Sequence, residues 1–91
     1  MIVWEQKALE DRQKIFEYLY GFNPVAAERT DDLIESAALN LGEYPEMGVK
    51  RQGVRGRLLI VPAISVVLSY LSDNQTIRVM RVLHQRQQFP P

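Results

Sequence analysis

The hydrophobic period changes once along this chain, and that change limits the architectures open to it. Up to about residue 42 the apolar residues recur at helical spacing. After about residue 57 they come in short β-rich runs broken by Pro and by polar turns. Helices come first and most strands come later, which is the pattern of an α+β domain. Ile2-Val3-Trp4 is a short β-branched and aromatic run and is predicted as an opening strand. A helix is expected over residues 5–20, with Ala8, Arg12, Ile15, Phe16 and Leu19 on one stripe and Gly21 as its C-terminal cap. Asn23-Pro24 reads as the N-cap and first residue of a second helix. Its stripe is Ala26, Ala27, Thr30, Leu33, Ile34, Ala37, Ala38 and Leu41, and Gly42 is expected to end it. The short link implies an antiparallel helical hairpin.

Residues 43–53 form a polar loop with Pro45, Gly48 and Gly53. Three strands are predicted after it, over 57–61, 64–71 and 76–84. Pro62-Ala63 is the first connection and Ser72-Asp73-Asn74-Gln75 the second. The expected order is β-α-α-β-β-β, a helical hairpin packed on a small, mainly antiparallel sheet, in a single domain over 1–91. By alternation, Ile64, Val66, Leu68 and Tyr70 share one face of the middle strand, opposite Ser65, Val67, Ser69 and Leu71. In the last strand Ile77, Val79, Arg81 and Leu83 oppose Arg78, Met80, Val82 and His84. Two helices cover one face only. The other is too apolar for free solvent yet carries Arg and His, which reads as a binding surface.

Composition removes several chemistries. There is no cysteine and one histidine, so disulfides and Cys- or His-built metal sites are excluded, and no metal or cofactor is expected. No apolar run reaches the roughly 18 residues of a membrane span. Residues 1–5 lack the basic-then-apolar order of a secretory signal, and a cytoplasmic location is expected. Residues 1–46 carry ten acids against four bases, and residues 47–91 carry seven bases against one acid, Asp73. That split suggests a basic surface for a polyanion or an acidic partner, or two oppositely charged surfaces that attract each other. A Ser-His-Asp triad would need Asp73, which falls in a turn away from His84. The remaining candidates for chemistry are Arg57, Arg78, Arg81, His84 and Arg86. Arginines bind phosphate bidentately and stabilise a pentacovalent transition state, and a neighbouring histidine can act as general acid.

The closing segment, Ile77-Arg78-Val79-Met80-Arg81-Val82-Leu83-His84-Gln85-Arg86-Gln87-Gln88-Phe89-Pro90, resembles the end of ParE-like members of the RelE/ParE toxin superfamily. Trp4 closing the first strand fits the same resemblance, as do Asn23-Pro24-Val25-Ala26-Ala27 and the Leu41-x-x-Tyr44-Pro45-x-x-Gly48 loop. Gly53-Val54-Arg55 before the sheet and Tyr70 in the middle strand agree as well. The resemblance spans nearly the whole chain. It implies the toxin of a type II toxin–antitoxin module, often a plasmid stabilisation system, held inactive by a cognate antitoxin. RelE-like members cleave mRNA on the ribosome and commonly carry an Arg in the middle strand, where this chain has Val67. ParE-like members poison DNA gyrase. The departure favours a non-enzymatic ParE-like toxin that reaches its target through Arg78, Arg81, His84, Arg86 and Phe89. Met80, Val82, Leu71 and Arg57 are then the antitoxin-binding candidates. The alternative is a ribosome-dependent endonuclease using Arg57, Arg81 and His84, and a third reading is a non-toxic interaction domain.

Overall fold

Asn23 sets the start of the longer helix as its sequence suggests. Its side chain accepts hydrogen bonds from the backbone N–H groups of Val25 and Ala26, and Pro24 takes the first helical position, where a missing N–H is harmless. In the computed structural model, which describes residues 1–85, the element order is β1 (Ile2–Trp4), α1 (Gln6–Tyr20), α2 (Pro24–Glu43), β2 (Val49–Lys50), β3 (Arg57–Val61), β4 (Val66–Asp73) and β5 (Thr76–His84). A single 3-10 turn, Pro62–Ile64, joins β3 to β4.

The five strands form one sheet in the order β1-β5-β4-β3-β2. β5 pairs antiparallel with β4, β4 with β3 and β3 with β2, whereas β1 runs parallel to β5. The helical hairpin lies on one face of this sheet. Ala8 and Ile15 of α1 and Ile34, Ala38 and Leu41 of α2 close over Leu68, Tyr70, Val79 and Val82, and all of these are buried. The α+β class and the β-α-α-β-β-β order are as the period of the sequence implies, and the bounds of β3 and β5 coincide with the predicted ones.

Three local expectations are corrected. Gly42 does not end α2: the helix runs through it to Glu43, with Tyr44 as its C-cap. The 43–53 segment is not all loop, because Val49–Lys50 adds a fifth strand along β3. Ile64 belongs to the 3-10 turn, so the middle strand starts at Val66 and continues to Asp73.

A fourth correction changes which side chains share a face. Ser69 pairs with Arg81 while Tyr70 pairs with Val79, which leaves Met80 as an extra residue in β5. Such a bulge resets the alternation beyond it. Val82 and His84 therefore join Ile77 and Val79 on the helix-covered face and are buried. The outer face instead carries Arg78, Met80, Arg81 and Leu83 beside Val67, Ser69 and Leu71.

Candidate functional site

Asp11 is one of three polar residues buried in the described core, only 4% exposed, on a helix face otherwise lined by Ala8 and Ile15. Its carboxylate faces β5 where β1 has ended. β1 follows β5 only as far as Val79, whose carbonyl accepts from Glu5 N–H as the chain turns into α1. The next edge donor, Val82 N–H, would otherwise lack a sheet partner on that side. It donates to Asp11 Oδ2 at 2.9 Å. The Arg81 guanidinium completes the arrangement, with Nε on Oδ2 at 2.8 Å and Nη2 on Oδ1 at 3.0 Å. This bidentate pair is the strong form of a charge-assisted bond. It raises the Arg81 pKa above the ordinary arginine value, chiefly through the hydrogen bonds to Asp11, with burial opposing it.

Met80 lies next to these contacts. Its bulge turns Arg81 toward Asp11 and Val82 into the core, so bulge, carboxylate and guanidinium act as one structural unit. Among the residues proposed for chemistry, Arg81 is thus engaged by Asp11 on two of its nitrogens. His84, at 4% exposure, sits inside the domain with its ring centroid 6.1 Å from that of Tyr18. Val82, expected on an exposed antitoxin-binding face, is fully buried and offers no surface in this conformation. Asp11 went unnoticed in the sequence because it is one acid among ten in its half, one position before the Arg12 assigned to the stripe.

Arg12 itself is largely buried by a different set of contacts. It forks onto Asp31 of α2 through two bonds of 2.9 Å and lies 4.5 Å from the centroid of the Trp4 ring. It ties α1 to α2 and to β1.

A second polar centre organises the far end of the sheet. The Tyr70 hydroxyl accepts from Gly48 N–H at 2.9 Å and donates to the Pro45 carbonyl at 2.8 Å. Arg57 donates through Nη1 to the Gly48 carbonyl at 2.8 Å. The 45–48 segment is thereby fastened to β3 and β4. A Cβ at Gly48 would sit 2.7 Å from the Tyr70 ring, so only glycine fits there. Gly56 has φ +78°, and a Cβ on it would collide with the Tyr70 carbonyl oxygen. Beside this centre opens a cavity of about 430 Å³ lined by Lys50, Arg51, Arg57, Tyr70 and Leu71 among others.

Two of the candidate catalysts, Arg57 and His84, do not converge. His84 pairs with Val66, and Val66 with Val61, whereas Arg57 begins β3 four residues before Val61. At about 3.3 Å per residue and about 4.8 Å per strand, that is roughly 13 Å along the strands and about 10 Å across them. Of the target-binding candidates, Arg78 is exposed and carries a long, solvent-accessible ion pair to Glu5 at 3.5 Å. Leu71 and Met80 are half-buried on the outer face. Arg86 and Phe89 lie outside the described residues. No group of three His, Cys, Asp or Glu side chains that could hold a metal ion occurs among the described residues, and no helix there is long and apolar enough to cross a membrane.

Comparison with known proteins identifies this arrangement. The family model of the ParE toxin of the type II toxin–antitoxin system parDE matches residues 2–89. The chain belongs to the ParE toxin family. It is 34% identical over 83 residues to Toxin RelE2 of Caulobacter vibrioides, a match covering 91% of this chain and 92% of that protein. Its fold is similar to a chain of the chromosomal ParDE TA system from P. aeruginosa, with a TM-score of 0.76 at 20% identity, covering 89% of this chain and 90% of the other. The toxin is thus a RelE/ParE superfamily member with two helices on a five-stranded mixed sheet, and its family partner is a cognate antitoxin.

Proposed function

We propose that this toxin arrests growth by binding DNA gyrase without performing chemistry, and that its antitoxin silences it by covering the surfaces used for that contact. One observation carries the choice. Arg57, Arg81 and His84, the residues an endonuclease reading needs together, occupy separate places with separate duties. Arg57 fastens a loop, Arg81 closes on Asp11, and His84 is inside the core. A general acid must come within hydrogen-bond reach of its substrate, directly or through one water. The gyrase reading places the toxin in the cytoplasm and assigns target contact to Arg78 on the outer face and to the closing segment that holds Arg86 and Phe89.

The test pairs two assays on purified toxin. Inhibited supercoiling by gyrase with transcripts left intact on translating ribosomes is the expected result. Ribosome-dependent cleavage that disappears in Arg81→Ala and His84→Ala variants that remain folded would overturn it. The second reading, a ribosome-dependent endonuclease, draws on the name of the Caulobacter relative, Toxin RelE2. Induced expression of the toxin alone separates both from a non-toxic interaction domain, because unimpaired growth contradicts either toxic mechanism.

A further inference from the structure

We propose that the β2–β3 hairpin is a binding site for the phosphate backbone of duplex DNA, through which the toxin grips the DNA on which gyrase is working. The proposal rests on the gyrase reading above and adds a contact to the second macromolecule of that complex.

Charge is the first support. Lys50, Arg51, Arg55 and Arg57 fall within eight residues of sequence, and none of them forms a salt bridge among the described residues. Elsewhere Arg12, Arg78 and Arg81 each have a carboxylate. Lys50 and Arg57 stand directly opposite each other in the β2–β3 ladder, so their side chains leave the same face from Cα atoms about 5 Å apart. Like charges in that position repel and destabilise a sheet unless an anion lies between them. With Arg51 they line the cavity of about 430 Å³, where Glu46 is the single acid among the described lining residues. Arg57 is held through Nη1 by the Glu46 and Gly48 carbonyls, and its Nε and Nη2 make no hydrogen bond among the described residues. A guanidinium fixed in this way offers its remaining N–H groups to a phosphate with little further ordering.

The surroundings of these cations select the ligand. Tyr70 is the one aromatic residue among the described lining of the cavity, and it is fully buried with its hydroxyl engaged as both acceptor and donor. Single-stranded nucleic acids are held by bases stacked on exposed aromatic rings, so this surface suits a duplex, whose bases are already stacked. The cavity also adjoins the surface assigned to gyrase. Leu71 lines both it and a second cavity of about 470 Å³ that holds Arg55 and Arg78. Glu5 and Asp73 balance the cations of that second wall, so the excess of charge stays at the hairpin. A toxin docked on gyrase through Arg78 presents the hairpin beside the same contact. Duplex DNA carries one charge per about 1.7 Å of axis, and neutralising its phosphates releases counterions, which favours a cluster of unpaired cations whatever the base sequence. An acidic peptide strand offers at most one charge per about 3.3 Å.

The experiment measures fluorescence anisotropy of a labelled duplex of about 20 base pairs with the full toxin chain at low ionic strength. Lys50→Glu and Arg51→Glu are combined, since both side chains are exposed, while Arg57 is kept because it fastens the 45–48 segment. Lys7→Glu/Lys14→Glu on α1 is the charge-matched control. Wild-type toxin should bind duplexes of unrelated sequence equally, with log affinity falling against log salt at a slope of about −3. The hairpin variant should bind about tenfold or more weakly, with a slope nearer about −1, while the control stays within about threefold of wild type. It should also inhibit supercoiling about tenfold less well per folded molecule. Unchanged duplex affinity in a folded hairpin variant would overturn the site. Tighter binding of a single-stranded RNA of the same length would overturn duplex DNA as its ligand. Lost antitoxin binding with duplex affinity retained would overturn it in favour of an acidic protein partner. A toxin that binds duplex through the hairpin but never inhibits supercoiling would sink the gyrase reading and leave the DNA site standing. Full inhibition by a hairpin variant that no longer binds duplex would sink the grip on gyrase-held DNA alone.

Discussion

Asp11 and Arg81, 70 residues apart in sequence, meet in two hydrogen bonds of 2.8 and 3.0 Å at the edge of β5 that β1 has left. The same carboxylate takes the Val82 N–H, so one side chain replaces a missing strand for one backbone donor. Removing it leaves a buried N–H and a guanidinium without their acceptor. Asp11→Ala should destabilise the toxin by about 1–3 kcal/mol in urea unfolding. Asp11→Asn should lose less, because its amide oxygen can still accept from Val82. In a double-mutant cycle with Arg81→Ala the two losses should be less than additive, with a coupling of about 0.5–3 kcal/mol. Strict additivity would show that the pair contributes nothing as a pair.

Tyr70 and Gly56 make a separate prediction at the other end of the sheet. Tyr70→Phe removes one acceptor and one donor from the 45–48 segment. A loss of about 1–2 kcal/mol is expected, together with faster amide exchange at Gly48. Gly56→Ala should be more damaging, because it combines a left-handed backbone with a steric collision at the Tyr70 carbonyl. A Gly56→Ala protein melting within about 2 °C of wild type would contradict that geometry.

Ile34 and Leu33 are neighbours on α2 with different depths. Ile34 is fully buried and Leu33 only partly. Ile34→Asp places an unpaired charge in the core and should abolish cooperative unfolding, a loss above about 4 kcal/mol. Leu33→Asp should remain folded at a lower melting temperature. Equal effects from the two would mean that the helix is rotated from the orientation described.

Activity should follow the separation of Arg57 and His84. On the proposed gyrase-binding reading, Arg57→Gln should leave inhibition per folded molecule within about threefold, or roughly 0.6 kcal/mol. His84→Asn should lower the melting temperature, and any lost inhibition should scale with the folded fraction. A loss of a hundredfold or more in either variant at full folding would restore these residues to a direct role.

The period of the apolar residues was enough to place both helices and three of the strands, since Ile34, Leu68 and Val79 each fall where burial demands an apolar side chain. The bulge was not visible. Alternation continues through Met80 in the sequence, and only pairing with β4 reveals that one residue is extra. This slip turned Val82 and His84 inward against expectation. β2 is not legible because a strand of two residues shows no alternation. Gly42 suggested an end to α2, but tertiary contact decides there: a Cβ at Gly42 would lie 3.7 Å from the Ile2 side chain, and the helix continues past it against β1. Of the site, the excess of bases over residues 47–91 could be read from charge alone, but not the β2–β3 pairing that gathers four of them. Asp11 could not, because only the fold shows that β1 stops short and leaves a donor for it.

The parallel pairing of β1 with β5 has a consequence for the order of events during synthesis. Among the described residues the first strand in sequence, β1, has the last, β5, as its sole neighbour in the sheet, and the Met1 ammonium donates to the Gln75 carbonyl. Both helices leave the ribosome before the β5 residues Ile77, Val79 and Val82 that they cover. The toxin therefore has no closed core and no locked Arg81 until β5 is free to join β1 and the helices, and pairings this distant in sequence are slow to form. A toxin whose core closes this late in its folding gives an antitoxin already present in the cell the opportunity to meet it before the fold is complete.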